Sequence, residues 1–278
     1  MRLLTFRSES GTRAGRLDGD GTVTTLDAPD VGALLASGAD WRERAAAAAG
    51  PRVALDGLDL APVVPSPSKI ICVGLNYKLH IAETGLATPE YPTLFAKFAR
   101  ALVGAGDPIV LPAASREMDW EVELAVVVGR TVGGADAADA REAIAGYTAA
   151  NDISARDFQR RTAQWLQGKT FDSTTPLGPV LVTGDEIGDA TDLELTCAVD
   201  GEEMQRGRTS DMLFAPAELI SYLSRIVTLD PGDVVLTGTP SGIGDSRTPP
   251  VRLRPGQIVT TAIEGIGTLT NVCTGSAW

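Results

Sequence analysis

The 278-residue sequence holds one histidine, His80, and three cysteines, Cys72, Cys197 and Cys273, that stand far apart. So few and so scattered, they exclude a disulfide framework and a zinc site built on cysteine and histidine. Basic charge is also scarce: 24 Lys and Arg face 36 Asp and Glu, for a net charge of −12, and no basic cluster offers itself to a phosphate backbone. Nucleic-acid binding is therefore not expected. Apolar runs are short, and Met1 to Arg7 reaches polar residues before any stretch of signal-peptide length, so neither a membrane span nor a leader is expected. With unpaired cysteines, this reads as a soluble protein of the reducing cytoplasm. Nucleotide fingerprints are missing as well. No G-x-G-x-x-G opens a helix after a strand, no G-x-S-x-G elbow occurs, and Gly168-Lys169-Thr170 has Ala163 where a phosphate loop needs glycine.

What is present suits a full-sized core: 44% hydrophobic residues, with 30 Gly and 17 Pro marking many turns. Residues 1–65 read as a small N-terminal α+β domain, with strand-like Leu3 to Phe6 and Thr22 to Leu26 and an Ala-rich helical stretch from Asp30 to Ala49. The proline-rich run Ala61 to Ser68 suits an extended connector, and residues 66–278 form the second domain. There, strand-length apolar runs recur at Ile70–Gly74, Val122–Gly129, Val180–Thr183, Leu193–Val199, Val234–Gly238 and Ile258–Ile263. Helices are expected over Ala137–Ala145, Ile153–Trp165 and Pro216–Ser224. Strands outnumber helices without alternating with them, which predicts a mixed, β-rich α/β fold rather than a doubly wound sheet.

Three segments carry chemistry. In Asp119-Trp120-Glu121-Val122-Glu123-Leu124-Ala125-Val126-Val127-Val128-Gly129, period-2 alternation puts Glu121 and Glu123 on one face with Ala125 and Val127. Two carboxylates on a buried face cost several kcal/mol each unless a cation meets them, and a hard divalent metal would; the other reading is a solvent-exposed strand start. A helix from Asp152 would align Asp152, Arg156 and Gln159 at i, i+4 and i+7. Asp152 could then be a third carboxylate beneath a cation and an amide facing an anionic ligand, or simply an N-cap with an exposed ion pair. Finally, His80 and Glu83 at i, i+3 can touch on one turn, making His80 a candidate general base or half of a surface pair.

These segments, with Gly146 to Gln159, Gly168-Lys169-Thr170-Phe171-Asp172, Pro176-Leu177-Gly178-Pro179 and Thr237 to Gly244, stand in the order seen in the fumarylacetoacetate hydrolase family. From Lys69 to Val272 the chain resembles its shorter members, of acylpyruvase or 2-hydroxyhepta-2,4-diene-1,7-dioate isomerase type. The resemblance implies a mixed β-sandwich roll, usually dimeric, with Glu121, Glu123 and Asp152 holding Mg²⁺ (or Mn²⁺ or Ca²⁺). It implies that His80 and Glu83 form a dyad on a mobile lid and that Lys169 acts beside the metal. Arg156, Gln159, Thr239 and Tyr77 become substrate contacts. Two departures stand out: Lys78-Leu79 replaces the family's frequent Arg-Asp, and the extra acidic ligand of the long members has no counterpart.

The implied activity is metal-dependent hydrolysis of a carbon–carbon bond in a small anionic β-diketo acid, by a homodimer. Isomerisation or decarboxylation of a hydroxy-dienedioate or oxaloacetate-type acid is the alternative, since all share an enolate step and His80 decides the outcome. A non-catalytic, metal-organised binding protein is the alternative from another class, against which the retention of His80, Glu83 and Lys169 argues.

Overall fold

The computed structural model describes residues 1–276. Its backbone is a strand-rich α/β fold dominated by an eleven-stranded mixed sheet. From one edge the strands run Arg52–Ala54, Thr22–Thr25, Gly11–Leu17, Arg2–Ser8, Thr175–Thr183, Ile144–Asn151, Val122–Val128, Val234–Leu236, Ile70–Gly74 and Thr93–Lys97, while Leu102–Val103 pairs with Thr175–Thr183 off this path. A five-stranded sheet (Glu202–Arg208, Glu194–Val199, Ile258–Ile263, Gly267–Gly275, Ile109–Leu111) supplies the second layer.

The fully buried strand Val122–Val128 sits between two cores, as its alternation requires. Val122, Leu124, Val126 and Val128 pack in one cluster with Leu195, Cys197, Val259 and Leu269 of the five-stranded sheet. Ala125 and Val127 join the other, with Val31, Leu34, Leu35 and Trp41 from two short N-terminal helices, Val31–Ala36 and Trp41–Ala47. That second cluster and the Leu3–Leu181 strand pairing bridge residues 1–65 to the remainder, so the expected boundary lies on a connector over which the sheet and core are continuous.

Several strands and the Pro216–Ser224 helix form where the sequence predicts. The expected helix over Ile153–Trp165 does not. Ser154–Ala155 instead pairs with Met118–Asp119 as a two-stranded ribbon, and helix is limited to Arg156–Gln159 and Leu166–Lys169. The cause is partly local and partly tertiary: the Ser154 hydroxyl donates to the carbonyl of Asp152 two residues back, and the Arg156 guanidinium is drawn onto the distant Asp119. No described helix is long and apolar enough to cross a membrane.

Candidate active site

The acidic cluster arises from strand register. Val122 pairs with Asn151 and Glu123 with Ala150, and the Asp152 amide donates to the Glu121 carbonyl at 2.8 Å. The Glu121 amide in turn donates to Asn151 Oδ1 at 2.9 Å. Asp152 is thereby held beside the two glutamates. Carboxylate oxygens of Glu121, Glu123 and Asp152 fall within 4.8 Å of one another, and all three side chains are buried. The solvent-exposed alternative for Glu121 and Glu123 is thus excluded.

Three buried cations surround this cluster. Lys169 Nζ donates to Glu121 Oε2 at 2.7 Å and to Asp152 Oδ2 at 2.9 Å. Gly168 makes that approach possible: a Cβ there would meet the Gln159 nitrogen at 2.5 Å and the Ala155 oxygen at 2.6 Å, so only glycine lets the Leu166–Lys169 turn lie against the preceding one. Lys97 Nζ donates to Asp152 Oδ1, and Arg156 Nη2 lies 2.7 Å from Glu121 Oε1. Arg156 also meets Asp119, a fourth buried carboxylate.

Electrostatics differ sharply across the triad. Burial alone would raise the Glu121 carboxyl, but Lys169 and Arg156 bring it down to about 2. Glu123 lacks a cation within hydrogen-bonding distance and accepts from the Gly238 amide at 2.7 Å. Burial, then the Asp152 and Glu121 charges, push its carboxyl well above the usual range. Burial opposes the charged form of Lys169, yet Asp152 and Glu121 outweigh it and raise the ammonium's pKa. Four buried carboxylates thus face three buried cations, with Glu123 left over, and this all-oxygen, acid-rich set fits a hard divalent cation.

Above the cluster, His80 and Glu83 lie on the Lys78–Thr84 helix, with Nδ1 2.9 Å from Glu83 Oε2. Glu83 Oε1 accepts from the Gly242 amide at 2.9 Å, and the Leu79 amide donates to Asp211 Oδ2 at 3.0 Å, so both ends of the helix are tethered. His80, Glu83, Glu121, Glu123, Arg156, Gln159, Lys169 and Thr239 line one pocket. Asp152 is sealed behind them with no exposed surface.

Tyr77 does not join this group. It is wholly buried among core residues, its hydroxyl has no hydrogen-bond partner, and it does not line the pocket, because the chain turns at Tyr77 into the helix that presents His80 instead. Gln159 accepts from Arg156 Nη1 at 2.9 Å, and Thr239 accepts from Gln205 Nε2 at 2.8 Å. Lys78 and Leu79, the departures from the family's frequent Arg-Asp, point to solvent rather than to the pocket.

Sequence reasoning missed Lys97 and Asp119. Asp119 was findable, since it continues the alternation of Glu121 and Glu123 by one more step. Lys97 gives no local signal, for it reaches Asp152 only because its strand pairs with Ile70–Gly74.

This arrangement can be set beside known proteins. The C-terminal domain profile of fumarylacetoacetate (FAA) hydrolase matches residues 69–274. The chain belongs to the fumarylacetoacetate hydrolase family. It is similar to a mitochondrial oxaloacetate tautomerase of Bos taurus, 50% identical over 214 residues that span 76% of this chain and 68% of the relative. The human mitochondrial oxaloacetate tautomerase FAHD2A is 49% identical over the same shares. Among solved structures, the 5-carboxymethyl-2-hydroxymuconate delta-isomerase of Mycobacterium smegmatis matches over the whole of both chains, with a TM-score of 0.83 and 37% identity. The fumarylacetoacetate hydrolase of Exiguobacterium antarcticum reaches 0.88 and 33% over 99% of this chain and all of its own.

This family member is an enzyme, and its relatives include tautomerases, isomerases and hydrolases. The expectation of a cytoplasmic protein is overturned by the mitochondrial relatives at 48–50% identity. It rested on free cysteines, and three buried thiols do not distinguish one reducing compartment from another.

Proposed function

We propose that this enzyme catalyses keto–enol tautomerisation of a small 2-oxo acid of the oxaloacetate type, with Mg²⁺ held by Glu121, Glu123 and Asp152. The observation that carries the reading is the His80–Glu83 pair, 2.9 Å apart, lining the same pocket as the triad and Lys169. Tautomerisation needs one group to carry one proton between carbon and oxygen, and the pocket offers one imidazole. The tautomerase and isomerase relatives favour this over the carbon–carbon hydrolysis anticipated from the sequence.

Glu121, Glu123 and Asp152 would hold a divalent cation, which would supply Lewis-acid polarisation of a bound 2-oxo acid. The remaining work falls to the chain. With Nδ1–H of His80 donated to Glu83, Nε2 carries the free lone pair and takes the proton from the carbon next to the keto group. The C–H electrons become the C=C bond, and the carbonyl electrons move onto oxygen. Lys169 has three N–H donors, two committed to Glu121 and Asp152, leaving one for that developing negative charge. His80 returns the proton to oxygen, and the enol forms with no net consumption of acid or base.

Following the enol absorbance of oxaloacetate with Mg²⁺, against an acylpyruvate assayed for cleavage, tests this directly. Acylpyruvate cleavage without any acceleration of enol–keto exchange would replace tautomerisation by hydrolysis. From the family resemblance we also propose a homodimer, which light scattering on the purified protein would overturn by returning the monomer mass.

A further inference from the structure

We infer that Arg160 is a specificity-determining residue that binds the distal carboxylate of a short dicarboxylic substrate. Of the cations lining the pocket, Arg156 and Lys169 are buried and committed to Asp119, Glu121 and Asp152. Arg160 is not. It follows Arg156 by one turn, its amide donating to the Arg156 carbonyl at 3.1 Å, so the two arginines rise on one face of that turn. Arg156 turns inward onto Asp119 and Glu121 while Arg160, one turn on, lines the same pocket as Glu121 and Glu123, which places a second cation beside the triad for the far end of a short diacid.

The surroundings of Arg160 make it releasable. Its guanidinium pairs with Glu117 and, at 2.8 Å, with Asp245. Arg252 contacts the same two carboxylates, 2.6 Å from Asp245 Oδ1 and 3.2 Å from Glu117 Oε2. When Arg160 turns to a ligand, both acids keep a cation. Arg160 is about half exposed while Arg252 is 16% exposed, so the inner arginine holds the acids and the outer one is free to turn. The same pocket carries apolar Leu75, Leu86, Phe95 and Trp165 and neutral Gln159, Thr162 and Ser246, so among its lining residues Arg160 is the full cation that lies outside the triad's own ion pairs.

This assignment rests on the reading of the triad end as a 2-oxo acid site. The test is therefore a binding measurement that needs no turnover. Calorimetry on the Mg²⁺-loaded protein compares 2-hydroxybutanedioate with 2-hydroxybutanoate, which differ in the distal carboxylate alone. Wild type should bind the diacid about tenfold or more tightly, the scale of one charge-assisted hydrogen bond. Arg160→Gln should erase that preference by weakening the diacid alone, and Arg160→Lys should retain part of it. Equal affinities in wild type, or parallel loss of both ligands in Arg160→Gln, would overturn the assignment. Preference without oxaloacetate tautomerisation would support Arg160 and sink the proposed reaction; tautomerisation without preference would do the reverse.

Discussion

Asp119 and Arg156 form a buried ion pair: Arg156 Nε donates to Asp119 Oδ2 at 2.8 Å, and Nη2 lies 2.8 Å from the same oxygen. The other aspartate contacts run to backbone. Asp119 Oδ1 accepts from the amides of Trp120 and Gly244, and Oδ2 accepts from that of Asp245. One side chain thus fixes both the guanidinium beside Glu121 and the loop whose Gly242 amide holds Glu83. Asp119→Ala strands a buried arginine and three amides, so it should cost about 3–5 kcal/mol of stability. Urea titration at neutral pH checks this, and a loss under about 1 kcal/mol would mean the pair is dispensable.

Glu123 is the carboxylate that the chain's own cations leave unmatched, and it should therefore respond most to metal. At a Mg²⁺ concentration 100 times Kd, a single site stabilises the fold by about 2.7 kcal/mol. Thermal denaturation should show that gain in wild type and little of it in Glu123→Gln, which keeps the shape and removes the charge. An undiminished Mg²⁺-dependent rise in Tm in the variant would remove Glu123 from the ligand set. Calorimetry on Glu121→Gln should likewise show weakened Mg²⁺ binding.

The strands Ile70–Gly74 and Ile258–Ile263 have the bounds their apolar runs predict, and Glu121 and Glu123 were legible because alternation and an acidic pair contradict each other unless a cation intervenes, whereas Asp152 joined them through the family resemblance. The central strand Ile144–Asn151 was not identified as a strand. Its Gly146, Ala149 and Ala150 lack strand-like bulk, yet they are small for packing: a Cβ at Gly146 would meet the Val182 carbonyl oxygen at 2.2 Å. The Ile153–Trp165 segment failed for the opposite reason, since a good helical stripe was overridden by the distant Asp119. Arg160 sits inside that misread stretch, and its pairing with residues 117 and 245 cannot be seen along the chain.

Glu83 gives the Lys78–Thr84 helix a pH signature. Burial would raise its carboxyl, but the His80 hydrogen bond and the Gly242 amide lower it below the ordinary glutamate value. A depressed folded-state pKa contributes stability above the unfolded value, about 4.3, and loses it as pH falls through the lower folded one. Wild type should therefore lose more stability than Glu83→Gln between pH 5 and the acid limit. Hydrogen exchange of residues 78–84 should report the same difference locally. Parallel pH profiles for the two proteins would show that the carboxylate does not anchor the helix.

Lys169 separates a structural from a chemical role. Its side chain is 2% exposed and bridges Glu121 and Asp152, so a dispensable surface lysine is excluded. Lys169→Met removes one of three cations from a cluster of four carboxylates, and without metal it should cost about 3–5 kcal/mol, the scale of a broken buried pair. Mg²⁺ should restore much of that loss, because the divalent charge meets the carboxylates the ammonium has left. Catalysis should not follow. If the third N–H of Lys169 meets the developing enolate oxygen, the refolded, Mg²⁺-saturated variant should keep its Tm yet lose about 10²–10³-fold in kcat. Its affinity for oxalate, an enolate mimic, should fall in parallel. Recovery of kcat together with Tm would show that Lys169 only balances charge, and the oxyanion role would pass to another donor in the pocket.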